Sequence, residues 1–231
     1  MIPKVIHQIF WSFKENVNWR DIPDYQVSHE KTIKYCEKNG IQLKFWNLEM
    51  VEELLNNEYE DYKDLWNEFR YPIQKVDFAR YMILHHEGGI YVDMDVHPMR
   101  NINELFLKDF FFCRWNSNDL PYNAVLGTEG GTQLYQDILD HVNESTYEKQ
   151  AMDIYHKWHG RLVYQTTGHK MLARVLKKHK ITERLNIISV INNTKSIYEC
   201  VPNDKGLFYD NNTSVWYNSE EKKASLKCWN E

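Results

Sequence analysis

The segment from Pro72 to Val96 limits the fold more than any other part of the chain. It reads as a helix, a Gly pair, a short apolar strand and two carboxylates one residue apart. Pro72 suits the first helical turn, and Gly88 suits the position just past the last one. At ~100° per residue, Ile73, Val76, Ala79, Ile83 and Leu84 form one apolar face. Ile90-Tyr91-Val92 then reads as a buried strand, entered through Gly88-Gly89 and left through Asp93-Met94-Asp95. Strand side chains alternate, so Asp93 and Asp95 are expected on the same side. Two carboxylates at a strand end, beside backbone with little bulk, suit a hard divalent cation and the phosphates it carries.

A D-x-D pair alone is weak, since about one is expected by chance in a chain of this length. This one is the only such pair here, and it follows an apolar strand instead of lying in a polar loop. The preceding helix adds a second signal. Arg80 falls within its apolar face and Asp77 at the edge, three residues earlier. A guanidinium on a core-facing stripe must be paired or bound to a ligand. A structural ion pair satisfies that requirement. So does a pair lying under a ligand pocket at the strand's carboxyl end, where open α/β sheets bind ligands.

Three blocks together carry a resemblance: Ile2-Pro3-Lys4-Val5-Ile6-His7-Gln8-Ile9-Phe10-Trp11, Asp77-x-x-Arg80, and Gly88-Gly89-Ile90-Tyr91-Val92-Asp93-x-Asp95. In order and spacing the chain resembles the DXD-containing sugar transferases. These include Och-type mannosyltransferases, α-1,4-galactosyl- and N-acetylglucosaminyltransferases, capsular polysaccharide transferases and, more distantly, clostridial glucosylating toxins. Asn211-Asn212-Thr213-Ser214-Val215-Trp216 is similar to their C-terminal element, with Asn in place of the His that many members carry and the toxin-like Ser-x-Trp spacing kept.

The resemblance implies an α/β fold: a GT-A type, Rossmann-like nucleotide-sugar-binding domain with a mixed, largely parallel central sheet. It implies one catalytic domain over residues 1–231. The implied reaction moves a hexose from a nucleoside diphosphate sugar to a hydroxyl of a glycan or other acceptor, with a UDP-sugar favoured over GDP-mannose and the anomeric configuration retained. Mn²⁺ or Mg²⁺ would bridge the diphosphate. Asp95 and Asp93 would hold the metal, with Asn212 and Ser214 approaching it. Arg80 and Asp77 would hold the donor sugar. Trp11 would stack near the base, Tyr91 would lie at the donor, and Ser214 and Trp216 would close over the diphosphate. Two alternatives stay open: a degenerate transferase acting as a carbohydrate-binding module, and a haloacid-dehalogenase-like phosphohydrolase. The latter also ends an apolar strand in D-x-D but carries its nucleophile near the start of its core.

Bulk properties agree with one α/β domain. The 231 residues suffice for one full core and not for two. With 28 Lys+Arg against 33 Asp+Glu, a general nucleic-acid binder is disfavoured. Cys36, Cys113, Cys200 and Cys228 form no C-x-x-C pair, so reduced thiols are expected, and zinc finds no support, His156 and His159 included. His97 reads as a residue at the edge of the site, with Pro98 ending the strand. No leader or long apolar run is visible, which predicts a soluble, cytoplasmic protein of microbial or viral type, without a transmembrane segment.

Strands are expected at 4–11, 41–46, 109–115, 124–127, 187–191 and 197–201. Helices are expected at 24–38, 48–56, 62–69, 132–143, 148–159 and 169–178, with a polar tail or helix from 219.

Overall fold

A computed structural model of the chain describes residues 1–13, 17–115, 120–150, 159–181, 190–192 and 207–211. The elements run in the order β1 (Val5–Ile9), α1 (Pro23–Asn39), β2 (Gln42–Trp46), α2 (Leu48–Glu58), α3 (Lys63–Glu68), α4 (Pro72–Glu87), β3 (Gly89–Val92) and β4 (Val96–Pro98). They continue with β5 (Phe110–Trp115), β6 (Leu120–Thr128), α5 (Gln133–Gln150), α6 (His159–Thr166), α7 (His169–Lys178), β7 (Val190–Asn192) and β8 (Phe208–Asp210).

The central sheet has the order β2-β1-β3-β6-β5. β1 pairs in parallel with β2 and β3, whereas β6 runs antiparallel to both β3 and β5. Four of its strands therefore share one direction, and β6 opposes them. The sheet is mixed and largely parallel, as expected. Both faces are covered, as a largely parallel sheet requires. Along β3, Ile90 and Val92 face one cluster with Ile6, Cys36 of α1, Phe111 and Val125. Tyr91 faces the opposite cluster, with α2, α4, α5, α7, Phe112 and Leu126. The alternation along one strand thus divides two cores.

Helix α4 departs from the one-sided stripe expected of it. Phe78, Ala79, Tyr81, Met82, Ile83 and Leu84 are all fully buried, and so are Gln74, Asp77 and Arg80. The helix lies inside the domain, and Gln74, Asp77 and Arg80 meet specific protein partners there. Burying each large apolar side chain contributes ~1.5–3 kcal/mol. The punctuation reads as expected. Pro72 occupies the first turn, and Gly88 closes the helix with its N–H donating to Leu84 O at 3.0 Å.

Gly89 is needed for space as well as conformation. Its φ is +94°, and a Cβ there would meet Val5 Cγ1 at 2.6 Å and His7 Nε2 at 2.8 Å. Strand β1 can therefore press directly on the Gly pair. His7 uses that closeness: its Nε2 donates to Gly88 O at 2.9 Å, while Trp46 Nε1 donates to Nδ1 at 3.1 Å.

Two parts of the sequence reading need correction. The D-x-D does not extend β3. The strand ends at Val92, and Val96 N donates to Asp93 O at 3.0 Å, closing a turn over Asp93-Met94-Asp95. The chain then enters β4, which belongs to a second sheet of order β4-β8-β7. Helix α5 runs to Gln150, beyond the expected end at 143, and the helix expected at 148–159 is not seen as one element within the described residues. Its residues 151–158, the strand at 197–201 and the tail from 219 lie outside them, as do His156, Cys200 and Cys228. Cys36 and Cys113 are buried free thiols.

Candidate active site

The site forms at the carboxyl end of β3, where the turn Asp93-Met94-Asp95 leaves the main sheet. Met94 is buried, whereas Asp93 and Asp95 each keep partial exposure. The in-out alternation expected of a strand is thus reproduced by the turn, and both carboxylates lie at the surface end of the element.

Behind the turn stands a buried chain of charges. Arg80 Nη2 meets Asp77 Oδ1 at 2.7 Å, and Nη1 meets Asp93 Oδ1 at 3.3 Å. Nη1 also donates to Asn123 O at 2.7 Å. The Arg80 and Asp77 side chains are 4% and 7% exposed, against 29% for Asp93. The guanidinium lies over the Tyr91 ring at 4.8 Å, and the Tyr91 hydroxyl donates to Asp93 Oδ1 at 2.6 Å. Asp77 is held further by Thr167 Oγ1 at 2.9 Å and Asn123 Nδ2 at 3.2 Å. Among the described residues Arg80 Nε has no hydrogen-bond partner, although it is buried. Such an orphan donor costs ~1–3 kcal/mol.

Burial pushes the carboxyl groups of Asp77 and Asp93 up, and Arg80 pulls both back down. Burial acts on the guanidinium in the opposite sense, but Asp93, Tyr91 and Asp77 outweigh it, and its pKa is raised. Arg80 therefore stays charged and serves as counter-ion to two acids at once.

The turn is also held by its main chain. Asp93 O accepts from Gln8 Nε2 at 3.4 Å, and Gln8 Oε1 accepts from His29 Nδ1 at 2.6 Å. Asp95 O accepts from Ser28 Oγ at 2.9 Å and from Asn211 N at 3.0 Å. Gln8, Ser28 and His29 were not expected at the site; all three are buried and read locally as interior residues. Tyr122 donates to buried Asp210, and burial together with Asp210, Asp95 and Asp93 raises its pKa.

Of the residues expected at the site, Asp77, Arg80, Tyr91 and Asp93 come together directly. Tyr91 is 1% exposed and lies beneath Asp93 and Arg80. Trp11, half-buried, packs on the larger core cluster, and its Nε1 has no hydrogen-bond partner among the described residues. His97 is buried, against the expectation of an edge residue; burial lowers its pKa from 6.5 to about 4, and its ring lies 5.3 Å from that of Tyr209. Asn212, Ser214 and Trp216 lie outside the described residues. Asn211, immediately before them, reaches the turn.

The donor set suits a divalent cation of the kind that takes one or two carboxylates and completes its shell with phosphate and water. The partners of Asp93 named above all meet Oδ1, so none of them occupies Oδ2. Among the described residues no group of three His, Cys, Asp or Glu is placed to hold a metal ion by itself. Among the described residues a cation here would depend on Asp93 and Asp95, together with oxygens brought by the donor.

Comparison with known proteins agrees with this geometry. Residues 19–112 match the family model of the glycosyltransferase sugar-binding region containing the DXD motif. An uncharacterized glycosyltransferase of Acanthamoeba polyphaga mimivirus is 28% identical over 90% of this chain and 78% of its own length. A mannosyl phosphorylinositol ceramide synthase of Saccharomyces cerevisiae is 34% identical over 55% of this chain. An inositol phosphoceramide mannosyltransferase of Schizosaccharomyces pombe is 32% identical over 48%. The chain spans only 32% and 33% of those two fungal proteins. Among solved structures, the PaToxG glycosyltransferase superposes with a TM-score of 0.52 at 17% identity, covering 77% of this chain and 70% of that one. No helix among the described residues is long and apolar enough to cross a membrane. Sequence match, D-x-D turn and sheet order converge: over residues 19–112 the chain is similar to the DXD-containing glycosyltransferases, and its fold is of the GT-A type.

Proposed function

We propose that the chain transfers a hexose from a nucleoside diphosphate sugar to an acceptor hydroxyl, with a divalent cation at Asp93 and Asp95. One observation carries this reading: a buried Asp77–Arg80–Asp93 chain of charges ends at Asp93, one of two part-exposed carboxylates on one turn. A purely structural ion pair has no need of that outlet. Mn²⁺ or Mg²⁺, when bound, neutralises charge on the departing nucleoside diphosphate. The protein's own groups orient and hold. Arg80 fixes the Asp93 carboxylate, and Asp77 fixes Arg80. By the family resemblance, Asn212 and Ser214 would approach the cation, and Ser214 and Trp216 would close over the diphosphate. Trp11 offers a ring at the end of β1 for a base.

Retention of configuration and a UDP-sugar donor form the first reading. The two fungal relatives are named for mannosyl transfer, which favours a mannosyl donor such as GDP-mannose as the second.

The test is a thermal-shift screen of UDP-glucose, UDP-galactose, UDP-N-acetylglucosamine and GDP-mannose with Mn²⁺. A donor at 100 times its Kd stabilises by ~2.7 kcal/mol. One donor should raise the midpoint only with metal, and Asp95→Asn should abolish the rise. A metal-independent rise would refute the cation's role. Binding without any release of free nucleotide, alone or with acceptor, would point to a carbohydrate-binding module. Release of phosphate from simple phosphomonoesters would favour the phosphohydrolase.

A further inference from the structure

We propose that Ser28 is a positioning residue of the D-x-D turn. Its hydroxyl joins α1, the Asp95 main chain and the segment after β8 into one joint that sets the Asp95 carboxylate. This rests on reading the turn as the metal–diphosphate site.

Ser28 sits in the middle of α1 and is fully buried. A mid-helix Ser usually turns its hydroxyl to solvent or back to the carbonyl four residues earlier. Ser28 does neither. Its Oγ donates to Asp95 O at 2.9 Å, a contact spanning 67 residues. A hydroxyl has one proton to give and two lone pairs to accept with. Since the proton goes to Asp95, the other two neighbours must be donors. Asn211 Nδ2 donates to Ser28 Oγ at 2.8 Å. His97 Nδ1 lies at 3.1 Å and must carry its own proton. Asp95 O is filled in turn, by Ser28 Oγ and Asn211 N. Asn211 Nδ2 also reaches Asp24 O at 3.4 Å, so the amide ties the joint back to α1 a second time.

The joint has a mechanical consequence. β3 ends at Val92, and at Asp95 the main chain is held instead by Asn211 N, which carries the β4–β8 pairing one residue further, and by Ser28 Oγ. The Asp95 main chain is the base from which its carboxylate projects, and the Ser28 side chain donates to that main chain. The same hydroxyl takes up Asn211, so the turn and the C-terminal segment share one anchor. Removing it leaves Asp95 O with Asn211 N alone, takes the acceptor from buried His97 Nδ1 and leaves Asn211 Nδ2 only its longer contact to Asp24 O.

Groups that orient a metal ligand without touching the metal are worth ~10–100-fold in affinity. The test is titration of the full chain with Mn²⁺ in the presence of UDP, followed by the paramagnetic resonance signal of free Mn²⁺. Ser28→Ala should weaken Mn²⁺ by ~10-fold or more. Ser28→Thr, which keeps the hydroxyl, should recover most of that loss. Thermal midpoints of both variants report folding separately. A folded Ser28→Ala chain that takes up Mn²⁺ like the wild type overturns the proposal and leaves the transferase reading intact. A wild-type chain that takes up no Mn²⁺ with UDP or GDP overturns both. Should Ser28→Ala fail to fold, Asn211→Ala decides: it removes one arm of the joint while its main-chain N–H stays on Asp95. A weaker Mn²⁺ titration supports the joint, and an unchanged one refutes it.

Discussion

Replacing Arg80 by Met tests whether one guanidinium neutralises two acids. Met has similar length and keeps the packing over Tyr91, so the change is chiefly electrostatic. Wild-type Arg80 serves Asp77 at 2.7 Å and Asp93 at 3.3 Å from a site only 4% exposed. Removing one partner of a buried pair costs ~3–5 kcal/mol. Asp93, at 29% exposure, recovers part of its loss through water, whereas Asp77, at 7%, does not. A net loss of ~4 kcal/mol is expected at neutral pH, a large share of a typical domain's stability. The pH dependence is the sharper readout. Burial already holds both carboxyls above the ordinary value of 3.8, and Arg80 is what restrains them. Without it both rise further. An acid whose folded pKa exceeds its unfolded pKa leaves the folded state binding more protons between the two values, so stability increases as pH falls through the folded pKa. The deficit of Arg80→Met against wild type should therefore shrink from pH 7 toward pH 5. Urea unfolding of both proteins across that range gives it directly. A deficit that stays constant with pH would refute the shared counter-ion. Arg80→Lys adds the functional arm: it keeps the charge and loses the planar fork. Normal turnover per folded Arg80→Lys molecule would count against a role in holding the donor sugar.

Two further outcomes follow from the first βα unit and its contacts. His7 is fully buried, and burial lowers its pKa from 6.5 to about 4. Its contribution is complete above pH 6.5 and is lost as pH falls toward 4, by up to ~3 kcal/mol; His7→Gln should flatten that part of the urea-midpoint profile, and an unaltered slope would exclude His7 as its source. Gly89→Ala forces a Cβ to within 2.6 Å of Val5 and keeps φ at +94°. A loss of roughly 2–5 kcal/mol by urea unfolding is expected, and a loss under 1 kcal/mol would show that β1 can yield there.

The legible part of this protein is the part its punctuation marks. Pro72, Gly88 and Gly89 bracket α4 and β3, and the structure places the helix at the expected residues. The unread part has physical causes. Strands β4 and β8 have three residues each, too few to show a period, and β4 contains Pro98. The D-x-D turn looks like strand because Met94 turns inward between two acids, and that pattern is shared by both conformations. Asp77, Arg80 and Gln74 broke the apolar pattern of α4, so its all-round burial read as one face. Ser28 and Gln8 carry no local signal at all. Their partners lie 67 and 85 residues away, and only the fold brings them together.

The N-terminal block and the D-x-D are linked by strand register. β1 runs parallel to β3 with Ile6 opposite Ile90 and His7 opposite Tyr91. Carrying that register one step sets Gln8 beside Val92, one residue short of Asp93. Strand side chains alternate, so Gln8 turns toward α1, where His29 meets it at 2.6 Å, and His7 turns toward Trp46. A slip of one residue would exchange these faces. It would place the imidazole against α1 and withdraw the amide from Asp93 O. The Gly pair guards against that slip, because only His7 in its present register finds both Gly88 O and the space left by Gly89. His7 and Gln8 thus do separate work: His7 sets the register, and Gln8 converts it into the position of the turn. The Asp93 carboxylate is held from behind by Arg80, and the main chain of the turn is held by Gln8 at Asp93 and by Ser28 at Asp95, so a shift in either support moves the turn that carries both acids.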